Sequence, residues 1–94
     1  MIKVKPYKTY LPIVPNQPIF IDFQGELMTI EEEDDGIVVY LDANSKDYHK
    51  YKIYLVETGE EVELDIGAVY LKTLTLLDGD YALHVYVEEV ENEL

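Results

Sequence analysis

Ninety-four residues, 48% of them hydrophobic, suffice for one folded core and are too few for two. Twenty acidic residues against seven lysines and no arginine give a formal charge of −13, which repels nucleic acid and anionic membranes because phosphate binding needs Lys or Arg. The absence of cysteine excludes disulfides, thiol catalysis, zinc fingers and iron–sulfur clusters.

The longest apolar run, "IVVYL" at 37–41, falls far short of the ~20 residues of a membrane helix. The opening "MIKVKPYK" lacks the apolar stretch of a signal peptide, so the expected location is the cytoplasm.

All four prolines, Pro6, Pro12, Pro15 and Pro18, lie in the first eighteen residues. Proline donates nothing to a sheet ladder, so this segment reads as an edge strand followed by a stiff extended loop through "PIVPNQP". The period then becomes two. Ile19, Ile21 and Phe23 point one way, with Phe20 and Asp22 on the other side, and Gly25 supplies a turn. Leu27, Thr29 and Glu31 next alternate with Met28, Ile30 and Glu32. "IVVYL" is apolar on both faces and predicts a central strand, and "DANSKD" (42–47) predicts a loop.

In "YHKYKIYLV" (48–56), Tyr51, Ile53 and Leu55 share one face, while Lys50 and Lys52 share the other with Tyr48 and Tyr54. "EVELDI" (61–66) alternates strictly and predicts a strand with Val62, Leu64 and Ile66 inward and Glu61, Glu63 and Asp65 outward. Gly67 marks a break. "AVYLKTLTLL", a turn at Asp78–Gly79 and "DYALHVYV" predict a closing hairpin, its last strand placing Tyr81, Leu83, Val85 and Val87 opposite Ala82, His84, Tyr86 and Glu88. The tail 89–94 predicts a frayed end or a single helical turn. The expected fold is all-β, a single-domain antiparallel sandwich or small barrel of seven or eight short strands.

The charge is uneven. Residues 1–10 carry Lys3, Lys5 and Lys8 and no acid, whereas from Glu57 onward eleven acids face Lys72 alone. Such a surface either keeps a small protein in solution or steers it onto a basic protein surface, including one that normally holds DNA or RNA. The block Glu31, Glu32, Glu33, Asp34 and Asp35 lacks the D-x-[DN]-x-[DN]-G spacing of a calcium loop, and on a strand its charges point alternately to two faces. Asp35–Gly36 is instead a hairpin cue. A hairpin tip and a recognition loop for a basic partner are compatible readings of this block, and no metal or cofactor is expected.

The outward residues Glu61, Glu63 and Asp65 would be spaced by ~6.6 Å along a strand, close to the spacing of adjacent phosphates. The stripe Tyr48, Lys50, Lys52 and Tyr54 reads as an oligomer or ligand face, pairing with acidic strands of the same or a neighbouring subunit, as would suit a homodimer. His49 and His84 stand on different strands, Ser45 has no nucleophile motif, and no glycine loop could cradle a phosphate. A non-enzymatic protein is therefore expected.

Thr58–Gly59, "VYLKT" (69–73) and "LHVYVE" (83–88), with "YLPI" at 10–13, resemble a family of small tailed-phage and prophage proteins. That family carries a T-G turn, a Y-[IL]-G-T element and a closing [WF]-H-V-F strand. Lys72 stands where the family has Gly, and Leu83 where it has an aromatic. "GDYALHVYV" is also similar to the endings of immunoglobulin-like domains. The phage resemblance implies a small accessory protein with no catalytic activity. The expected function is protein–protein binding, for instance inhibition of a host or defence protein through a nucleic-acid-mimicking face. The alternatives are a virion assembly module and a sequestering protein for a signalling nucleotide.

Overall fold

The computed structural model describes residues 1–44 and 46–90. Among these, period-two segments rich in Val, Ile, Thr and Tyr form seven strands. They are β1 (Pro6–Leu11), β2 (Pro18–Gln24), β3 (Glu26–Glu33), β4 (Gly36–Asp42), β5 (Tyr48–Glu57), β6 (Val69–Leu76) and β7 (Tyr81–Val90). Two antiparallel sheets, ordered β1-β4-β3 and β2-β5-β7-β6, pack as a sandwich. Ile30, Ile37, Val39 and Leu41 from the first sheet meet Ile53, Leu55, Leu83 and Val85 from the second in one core. β4 is central in its sheet, as its two-sided apolar pattern predicts, and Val38 and Val39 are both fully buried although they face opposite ways.

Two local devices depart from simple alternation. Strict period two would set Leu27 opposite Ile30, yet both reach the core. A bulge between Leu27 and Thr29 adds the residue that makes this work, leaving Met28 outside. The expected turn at Gly25 is not a hairpin, because β2 and β3 lie in different sheets. Gly25 reverses the chain from one sheet to the other at φ 142°, and a side chain there would come within 2.9 Å of the Asp42 carbonyl.

The β3–β4 hairpin turns one residue earlier than expected. Asp34 and Asp35 both take positive φ (53° and 59°), the pattern of a two-residue twisted turn, and Gly36 already belongs to β4. The β6–β7 connection is a short 3-10 turn over Leu77–Gly79, wider than the expected Asp78–Gly79 pair. At the other end of β7, Glu89 and Val90 remain in the strand, and the rest of the expected frayed tail lies outside the described residues.

The largest correction concerns residues 61–66, which form no strand. β5 and β6 are each antiparallel to β7, so they run parallel to each other and need a connection that crosses over β7. Residues 58–68 make that crossover as an extended strap on the outer face of the four-stranded sheet. Its alternation survives without a ladder: Val62 and Leu64 are half-buried, and Glu61, Glu63 and Asp65 are exposed. Ile66, expected inward, is fully exposed where the strap turns towards β6.

Candidate functional site

Four connections meet at one end of the sandwich: the proline loop 12–17, the hairpin tip 34–35, the turn 57–60 and the turn 77–80. None contains a lysine, and together with Glu32 they bring Asp34, Asp35, Glu57, Glu60, Asp78 and Asp80 to that end. Hydrogen bonds fix the assembly. Asp35 Oδ1 accepts the Leu77 N–H at 3.0 Å, and the Asp35 N–H donates to Glu32 Oε1 at 3.1 Å. Asn16 clamps Glu57, donating to Oε1 at 2.6 Å and accepting the Glu57 N–H at 2.9 Å. Tyr81 donates to the other carboxylate oxygen at 2.7 Å, and burial together with that bond pushes its hydroxyl up to about 12. A pocket of about 360 Å³ lies between the last two turns, lined by Glu57, Thr58, Glu60, Gly79, Asp80, Tyr81 and Ala82.

The residues expected to form the contact surface separate into two groups. Glu31, Glu33 and Asp65 are matched by lysines. Lys72 bridges both oxygens of Glu31, Lys8 and Tyr40 hold Glu33, and Lys52 Nζ donates to Asp65 Oδ2 at 2.6 Å. Each pairing pulls the carboxyl below its ordinary range. Glu32, Asp34, Asp35, Glu61 and Glu63 have no lysine partner among the described residues. The hairpin tip and the start of the strap share the acidic end, while Asp65 lies further along the outer face against Lys52. Lys3, Lys5 and Lys46 sit at the opposite end.

The stripe Tyr48, Lys50, Lys52 and Tyr54 does not present one exposed face. Tyr54 is only 3% exposed although it points away from the core, and Lys52 sits over the rings of Phe20 and Tyr54 at 5.7 and 5.6 Å while bonding Asp65. Lys50 is half-buried opposite Asp22, and Tyr48 is exposed at the strand end. The strap explains the difference, because it covers the outer face that alternation alone leaves to solvent.

Both histidines are engaged. His84 takes Thr58 Oγ1 at 2.8 Å on Nε2 and Thr73 Oγ1 at 2.9 Å on Nδ1, with the Tyr70 hydroxyl 2.7 Å from Thr73. His49 pairs with Glu89 and stacks on Tyr51. Among the described residues no group of three or more His, Asp or Glu side chains could hold a metal ion, and no helix is long and apolar enough to cross a membrane.

Glu57, Glu60, Asp78 and Asp80 were not singled out from the sequence. Their signal was acids flanking turn glycines in "ETGEE" and "DGD", but which turns share an end depends on the β5–β6 crossover. No curated protein and no solved structure matches the chain. A family model described as a domain of unknown function (DUF7352) matches residues 4–94, and the chain belongs to that family.

Proposed function

We propose that the domain acts by binding rather than by catalysis, as a phage-type accessory module that presents its acidic end to a protein partner with a basic surface. The observation that supports this reading is the gathering of unmatched carboxylates from separate connections into one hydrogen-bonded end without a lysine. Like charges held together oppose folding, and a partner's cations would offset that repulsion on association. Elsewhere the same chain matches its carboxylates, placing Lys8, Lys52 and Lys72 on Glu33, Asp65 and Glu31. The strap carries the negative potential onto the outer face through Glu61 and Glu63. A surface of this kind suits competition with nucleic acid for a basic site on a host or defence protein.

The test is capture of partners from host lysate at about 50 and about 500 mM NaCl, since screening weakens attraction between exposed charges. Wild type should retain basic proteins at low salt and release them at high salt. A variant with Asp34→Asn, Glu60→Gln, Asp78→Asn and Asp80→Asn should lose them, whereas Glu26→Gln at the opposite end should not. Retention of the same partners by the neutralised variant would sink the proposal.

A further inference from the structure

The sandwich has four edge strands, and their charges differ. β1 carries Lys8 and follows Lys3 and Lys5, and Pro6 interrupts its donors. β3 carries Glu26, Glu31, Glu32 and Glu33. β2 starts at a proline and carries Asp22. β6 alone has neither proline nor carboxylate, and its single charge, Lys72, is matched within the chain by Glu31. Two copies meeting along β3 would oppose Glu26 and Glu32, which have no lysine partner among the described residues, whereas Lys8 of β1 is matched by Glu33 and that edge is blunted by Pro6 instead. Among the described residues, β6 is the edge along which two chains of charge −13 meet with neither a carboxylate nor a proline on the strand.

The same edge exposes apolar surface. Val69 is 66% exposed, Tyr70 51% and Leu71 38%, and the fully exposed Ile66 precedes them. Single exposed apolar residues are ordinary, but four within a six-residue stretch beside an unpaired strand edge are the pattern of a contact surface. A bulge at Leu71 turns this half of the strand, leaving Lys72–Leu76 in one-to-one register with β7 and with its outer edge unpaired by any strand among the described residues.

We propose that β6 is a self-association edge, pairing antiparallel with β6 of a second copy to join two four-stranded sheets into one of eight strands. Geometry favours this orientation. β6 runs towards the acidic end, so a two-fold axis across the β6 pair sets the two acidic ends at opposite poles of the dimer. Parallel pairing would bring them side by side. The dimer offers two acidic ends without covering either, and it does not depend on what those ends bind.

Sedimentation analysis of the whole chain tests the inference. The interface is small, so mass should rise from one chain towards two between ~10 μM and ~1 mM. Raising NaCl from about 50 to about 500 mM should strengthen the dimer by screening repulsion between the two acidic chains, the reverse of its effect on an acidic-end complex. Val69→Lys with Leu71→Lys should weaken association at least about tenfold while leaving the circular dichroism unchanged. Should the double variant unfold, Leu71→Lys alone decides in its place. Ile2→Lys with Val4→Lys, on the arm before β1, should change nothing. A single-chain mass at ~1 mM, or a dimer that survives the β6 substitutions, overturns the inference.

Discussion

Asp35, at the tip of the β3–β4 hairpin, accepts the backbone N–H of Leu77 at 3.0 Å and so ties the end of one sheet to the turn that ends the other. Both residues have positive φ, which Asn tolerates better than Ala. Asp35→Asn keeps an acceptor and removes the charge, so its stability should stay within about 0.5 kcal/mol of wild type. Asp35→Ala removes the bond and should cost about 0.5–1.5 kcal/mol in urea unfolding. Equal unfolding midpoints for the two variants would show that the bond contributes nothing. The Asn variant also separates the charge of the acidic end from its architecture.

A second tie crosses the sandwich. The Leu27 N–H, beside the bulge, donates to the Tyr51 hydroxyl of the other sheet at 3.0 Å. Tyr51 is buried, which raises the pKa of its hydroxyl. Tyr51→Phe keeps the ring and strands a half-buried donor, so it should cost about 1–3 kcal/mol. Tyr10→Phe, on an exposed ring, should stay within about 0.5 kcal/mol. Chemical denaturation of both variants checks this, and an unchanged Tyr51→Phe midpoint would count against the tie.

The sandwich was legible because each buried strand carries its own period. β4, β5 and β7 place in the core the residues that alternation assigns to it, down to Leu83 and Val85. What escaped was set by long-range topology. "EVELDI" has the alternation of a strand, but the parallel relation of β5 and β6 obliges it to cross over β7, so Val62 and Leu64 cover an outer face instead of filling the core. Tyr54 is buried and Lys52 is matched for the same reason. The bulge at Met28 shifts the period of β3 by one residue, a change visible only once Leu27 and Ile30 must both reach the core. The acidic tip was placed to within a residue, whereas its neighbours Glu57, Glu60, Asp78 and Asp80 depend on which turns the topology gathers.

Glycine positions give a further check on the chain path. Gly25 combines φ 142° with backbone on two sides, its N–H donating to the Asp47 carbonyl at 3.2 Å and the Asp42 carbonyl 2.9 Å from where a Cβ would lie. Gly25→Ala should therefore cost more than about 2 kcal/mol, through positive-φ strain and displacement of the β4 end. Gly59 has φ 91° but open space around it, so Gly59→Ala should cost only about 1 kcal/mol. Thermal unfolding of the two variants should separate them, and equal melting temperatures would contradict the sheet-to-sheet reversal at Gly25.

The strap predicts an opposed pair of pH responses. Asp65 is pulled below its ordinary range, chiefly by the Lys52 ammonium. Its contribution is present above the unfolded carboxylate range, about pH 4, and is lost as pH falls through the folded value. Glu88 is pushed up, first by desolvation and then by the neighbouring Asp65. Its contribution is present at low pH and lost as pH rises through its folded value, above which the Glu88 carboxylate opposes the folded state. Glu88→Gln, uncharged throughout, should therefore melt above wild type at about pH 7, and the gain should shrink towards about pH 4. Asp65→Asn should melt below wild type at about pH 7 and converge with it as pH falls through the folded value of Asp65. The position of Gly67, where a Cβ would lie 2.7 Å from Glu88 Oε2, places this carboxylate against the strap itself. The order of melting temperatures at neutral pH is then Glu88→Gln, wild type, Asp65→Asn. A Glu88→Gln variant that melts below wild type there would mean that the carboxylate holds the strap as a charged group, and the assignment of signs would fail.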